Sequence, residues 1–151
     1  MALLYVPYRI YEVAATRGHA QETTRYAADA VSGALDPYVA DSFSQPEATS
    51  PEAPRNVMPA TLDPERGAAL LHDHVRRMIY RRGFFRAGNL ELRVRPTDDT
   101  VLVPYWVGFF GQGDHAELRV VDALRGTIEG AKAREAILHW LLAPEPAPQC
   151  H

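Results

Sequence analysis

Two aspartates in this 151-residue chain are the side chains whose type and spacing most invite chemistry. Asp29 opens Asp29-Ala30-Val31-Ser32-Gly33, and Asp122 opens Asp122-Ala123-Leu124-Arg125-Gly126. Facing each other across a pseudo-twofold axis, two such carboxylates would split their pKa values and do acid–base work or hold a cation. The same residues have a plainer use. An Asp that ends a strand accepts hydrogen bonds from backbone N–H groups two or more residues on, and Gly supplies the positive φ of a tight reversal. Neither motif has a nucleophile or a third ligand beside it. The expectation is therefore that Asp29, Gly33, Asp122 and Gly126 bend backbone, and that the chain is not an enzyme.

The other chemistry-bearing group is basic. Arg76, Arg77, Tyr80, Arg81, Arg82 and Arg86 lie in one stretch with Phe84 and Phe85. Arginine and aromatic residues are favoured at protein interfaces, so this stretch reads as a docking patch for an acidic protein surface. Contact with nucleic-acid phosphates and bases is the alternative reading. His72-Asp73-His74 places its imidazoles two residues apart, on nearly opposite sides of a helix, whereas paired metal ligands want a spacing of about four. Cys150-His151 are good ligands on a Pro-rich tail. No metal site and no cofactor is expected.

These residues need elements to hold them, and the aspartate motif is half of a longer repetition. Val6-Pro7-Tyr8 precedes the first copy and Val103-Pro104-Tyr105 the second, each followed by a β-rich run. Leu3 to Val13 and Thr23 to Ala28 read as strands joined by a loop over residues 14–22. Asp36-Pro37 reads as a helix start. Thr61 to Glu65 opens a helix over 64–82, capped by Asp63, with Ala68, Leu71, Val75, Met78 and Ile79 on one face. Leu90 to Arg95 alternates as a strand, residues 96–100 read as a turn, and Val101 to Phe110 is apolar on both alternating sets, so both its faces should be covered. Gly111 to Asp114 closes a hairpin onto Ala116 to Val121, and 131–142 reads as an amphipathic helix. Trp106, Phe109, Phe110 and Trp140 are expected in the core. Pro7 and Pro104 cannot donate to a ladder, which places them at an edge or a bulge.

The fold class that follows is α+β: a mostly antiparallel sheet from two pseudo-repeated β-hairpin units, covered by two helices. Residues 1–43 form the first unit, 44–60 a Pro-rich linker, and 61–143 a helix, the second unit and the last helix around one core. Residues 144–151 are a flexible tail.

The stretch from Tyr26 through Asp29-Ala30 to Gly33 resembles the strand–turn–strand signature of PepSY-like domains. Val103-Pro104-Tyr105-Trp106 through Asp122 to Gly126 is similar to a hairpin in uncharacterised bacterial proteins that read Pro-Tyr-Trp, then Asp or Asn, then Gly. Some of those proteins carry zinc ribbons or membrane segments, which this sequence does not show. The resemblance implies a small α+β binding or regulatory module.

Composition narrows the class further. The net charge of −3 gives no global attraction to nucleic acid or anionic lipid. Residues 61–96 nonetheless carry eight Arg against four acids, between two acidic flanks. A single Cys argues for no disulfide framework. The N-terminus lacks a basic region and a long apolar stretch, and the longest apolar run is about half a membrane span. The expectation is a soluble, cytoplasmic, non-catalytic accessory subunit that binds other protein subunits, with peripheral association to a membrane complex left open.

Overall fold

A computed structural model of the chain describes residues 1–36, 56–81 and 90–143. Among these residues five strands and two α-helices follow in order: β1 (Ala2–Arg17), β2 (Ala20–Asp29), β3 (Leu35–Asp36), α1 (Pro64–Arg81), β4 (Leu90–Phe110), β5 (Glu117–Asp122) and α2 (Ala131–Leu142). The strands make one antiparallel sheet in the order β3-β2-β1-β4-β5. The α+β class read from the sequence is the observed one. Contacts divide the chain into two compact units, Tyr5–Val103 and Met1–Leu4 with Pro104–His151.

In the first unit β1 and β2 pair from Tyr8↔Asp29 to Arg17↔Ala20. Only Gly18 and His19 remain for the reversal, with Gly18 at φ +57°, as tight hairpin turns require at their first central residue. The loop expected over 14–22 is therefore strand. Alanine and glutamine have little strand preference of their own, but the ladder continues for as long as a partner strand lies opposite.

Helix α1 starts at Pro64, after Asp63, whose carboxylate accepts from Arg66 N at 3.4 Å. Its buried residues Leu71 and Val75 pack with Tyr11, Val13 and Ala28 of the hairpin. Gly67 is needed there, because a Cβ would overlap the Tyr11 hydroxyl. Branched and aromatic strand residues thus meet a helix stripe of matching period, the usual route by which a sheet face leaves water.

Strand β4 runs unbroken through residues 96–100, where a turn was expected. The strand is held by its neighbours. Thr97 Oγ donates to the Ile10 carbonyl at 2.8 Å, Arg25 pairs with Asp99 at 2.8 Å, and Arg95 pairs with Glu12. Pro96 and two aspartates suggest a turn locally, and cross-strand partners override that preference.

Pro7 and Pro104 sit in β1 and β4, which are interior strands, so the edge expected for them is corrected. Each stands one residue beyond the last registered pair of its hairpin, Tyr8↔Asp29 or Tyr105↔Asp122. The Pro7 carbonyl accepts from Ala30 N at 2.8 Å, and the N–H that Pro7 lacks would have returned to the Ala30 carbonyl. That carbonyl accepts instead from Leu62 N at 2.7 Å. The proline thereby frees an acceptor that ties down the approach to α1.

In the second unit β4 and β5 pair from Tyr105↔Asp122 to Phe110↔Glu117. Buried in it are Leu4, Tyr105, Val107, Leu118, Val120, Asp122 and, from α2, Ile137. Helix α2 packs on β5, and Arg134 at its start bonds Glu117 at 3.0 Å.

Candidate functional site

Asp29 and Asp122 each end a strand and close a turn within their own unit. In the first turn Asp29 N donates to the Ala34 carbonyl at 3.0 Å, Ala30 N to the Pro7 carbonyl, and Gly33 N to the Asp29 carbonyl at 3.1 Å. In the second, Asp122 N donates to the Thr127 carbonyl at 2.9 Å, Ala123 N to the Pro104 carbonyl at 3.1 Å, and Gly126 N to the Asp122 carbonyl at 2.7 Å. Gly33 and Gly126 take φ of +77° and +68°. Leu35 pairs with Ala28 in one, and Ile128 bridges Val121 in the other. The two turns make the same bonds at the same positions.

Their carboxylates differ most on Oδ2. Asp29 accepts from Val31 N, Ser32 N and Gly33 N on Oδ1, and from Ser32 Oγ at 2.6 Å and Ala34 N at 3.2 Å on Oδ2. Asp122 accepts from Leu124 N at 2.8 Å and Arg125 N at 3.2 Å on Oδ1. Its Oδ2 is buried and receives no hydrogen bond; the Arg125 guanidinium lies 3.6 Å away. Arg125 occupies the position that Ser32 holds in the first turn. A carboxylate whose lone pairs serve its own backbone, or that is only 1% exposed as Asp122 is, is poorly placed to reach a substrate.

The basic patch sits on the outer side of α1. Arg76, Arg77 and Arg81 are exposed, opposite the stripe of Leu71 and Val75. Arg76 lies over the Tyr80 ring, 5.7 Å from its centroid, the reach of a cation–π contact one helical turn apart. Arg77 Nε donates to the Asp73 carbonyl at 3.3 Å. None of the three arginines pairs with a carboxylate among the described residues. Arg82 and Arg86, with Phe84 and Phe85, lie outside the described residues, as do Cys150 and His151, the Asp36-Pro37 helix start beyond Asp36, and the linker up to residue 55.

His72 Nδ1 stands 4.0 Å from Asp73 Oδ1. Among the described residues no three His, Cys, Asp or Glu side chains gather to hold a metal ion, and no helix is long and apolar enough to cross a membrane.

One expectation is overturned. Trp106, Phe109 and Phe110 are exposed, not core. Within residues 101–110 of β4 the buried side chains are those of Val103, Tyr105 and Val107, all on one side. A strand apolar on both alternating sets states that both faces can be covered; it does not supply a second cover. Gly108 was the overlooked sign, since the Phe110 ring and Met1 fold into the space a Cβ there would take.

Comparison with family models, with curated proteins and with solved structures returned no match.

Proposed function

We propose that this chain is a non-catalytic accessory subunit, working in the cytoplasm, that docks onto an acidic protein surface through the outer face of α1. The observation that carries the reading is a helix face with Arg76, Arg77 and Arg81 exposed and without carboxylate partners among the described residues, one of them pre-oriented on Tyr80. Arginines whose terminal guanidinium nitrogens are unspent, as Arg77's are with only its Nε donating to Asp73, are suited to bidentate contact with carboxylates. The turn aspartates support the same reading, because the Asp29 carboxylate accepts from its own turn on both oxygens and Asp122 is buried.

The two hairpins are, in this proposal, copies of one ancestral unit, supported by the equivalent bonds of the Asp29 and Asp122 turns. The likeness to PepSY-like domains rests on those same turns and carries a binding role with it.

The test reverses the face. Replacing Arg76, Arg77 and Arg81 together by Glu should remove the partners that co-purify with the native protein, while the far-ultraviolet circular dichroism stays unchanged because all three are exposed. Undiminished recovery of those partners would overturn the proposal.

A further inference from the structure

The equivalence of the two hairpins exposes an asymmetry. Aligned on their prolines and aspartates, Arg9 corresponds to Trp106, Tyr11 to Gly108, Val13 to Phe110, Ala28 to Val121 and Leu35 to Ile128. In the first unit this face lies beneath α1: Tyr11, Val13 and Ala28 are 1%, 3% and 1% exposed. Arg9 donates to the Leu62 carbonyl at 3.1 Å. Leu62 N caps the Ala30 carbonyl, and Leu62 and Leu70 crowd Gly33. In the second unit the corresponding face carries no helix among the described residues, and only Met1 and the Phe110 ring lie beside Gly108. Trp106 is 43% exposed, Phe110 41% and Ile128 71%. Among the described residues nothing beyond its chain neighbours lies within 4 Å of the place a Cβ on Gly126 would occupy. The Ala123 carbonyl, freed by Pro104 as Ala30's is by Pro7, accepts no bond among the described residues.

We infer that the Trp106–Phe110–Ile128 face is a second docking site, whose occupant is an amphipathic helix of a partner protein, seated as α1 is seated on the first hairpin. The covered copy specifies that occupant. An apolar residue just before the helix start donates its N–H to the Ala123 carbonyl and packs over Gly126, and the helix lays its apolar stripe across Trp106, Phe110 and Val121. Charge narrows it further. Arg119, at the position of Tyr26, lies over the Phe110 ring at 5.0 Å and has no carboxylate partner among the described residues, so the helix carries an acidic side chain opposite it. This is helix-on-sheet recognition in trans, with aromatic anchors central and the cation at the rim. The site shares no residue with the arginine face of α1.

The probe is a synthetic peptide spanning residues 61–81 of this chain, with Glu in place of Arg76, Arg77 and Arg81, added to the full-length protein. Trp106 fluorescence in a Trp140→Phe background should shift to the blue saturably. Amide resonances of Leu124, Gly126 and Ile128 in the unsubstituted protein should move on the same titration. Ile128→Asp and Phe110→Ser, both at exposed positions, should each weaken binding about tenfold or more, and Arg119→Glu should weaken it and raise its salt sensitivity. Glu at Arg76, Arg77 and Arg81 of the protein itself should leave affinity unchanged, which separates this site from the one proposed above. The inference is overturned if a scrambled peptide binds equally, if the resonances near Gly126 do not move, or if the face instead closes on a second copy of the chain by sedimentation.

Discussion

At the scale of the residue, the two turns form a natural mutation pair. Ser32 gives Asp29 Oδ2 a hydroxyl, whereas Arg125 leaves Asp122 Oδ2 with a partly exposed guanidinium at 3.6 Å. A buried carboxylate oxygen without a donor is costly, while a half-solvated ion pair at that distance is worth about 1 kcal/mol or less. Arg125→Ala removes the one cation beside Asp122 Oδ2 among the described residues and should destabilise the protein by about 1–2 kcal/mol. Arg125→Ser rebuilds the arrangement of the first turn, so its urea midpoint should lie clearly above that of Arg125→Ala and match or exceed the native value. Equal midpoints for the two variants would show that Asp122 Oδ2 does not draw on the residue three positions on. The turns were the most legible part of the sequence, because Asp, Gly and proline act through local backbone geometry. The unsatisfied oxygen was not legible, since burial is a tertiary quantity.

At the scale of the element, legibility followed how far each element depends on its own residues. Helix α2 was read to the residue and α1 from its first residue, Pro64, through the last described one, Arg81, since caps and a 3.6-residue stripe are local signals. The loop expected at 14–22 and the turn at 96–100 were missed because only a paired strand keeps Ala14, Gln21, Pro96 and Asp98 extended. The exposure of Trp106 and Phe110 was missed for a related reason: alternation reports which face a residue is on, not what lies above it. The seating of α1 gives a sharp test of packing. Gly67→Ala gains helix propensity, about 1 kcal/mol, but drives a methyl into the Tyr11 hydroxyl and should cost about 1–3 kcal/mol net. Adding Tyr11→Phe removes the oxygen and leaves the ring Cζ 3.2 Å from the new methyl, so the double variant should recover part of the loss. A thermal-melt double-mutant cycle reads this directly, and additive losses would mean that α1 does not sit on Tyr11 through Gly67.

At the scale of the whole molecule, charge placement separates the two classes of partner that an arginine face admits. The chain carries 19 acidic against 16 basic residues, and several of the latter are already paired, Arg25 with Asp99, Arg95 with Glu12 and Arg134 with Glu117. Nucleic acid is a uniform line of negative charge, so binding it gains from the summed field and falls steeply as salt displaces the released counterions. An acidic protein surface is local, and needs only the few arginines that face it to be unspent, whatever the net charge behind them. The α1 face has the second property: three exposed arginines on one helix, in a molecule whose overall charge repels polyanions. The full chain should therefore pass through a heparin column at about 50 mM salt without retention. The variant with Glu at Arg76, Arg77 and Arg81 should pass at the same volume. Strong retention of the native chain that collapses in that variant would assign the face to phosphate instead of carboxylate, because only a polyanion of repeated charge would outweigh the acidic remainder of the molecule.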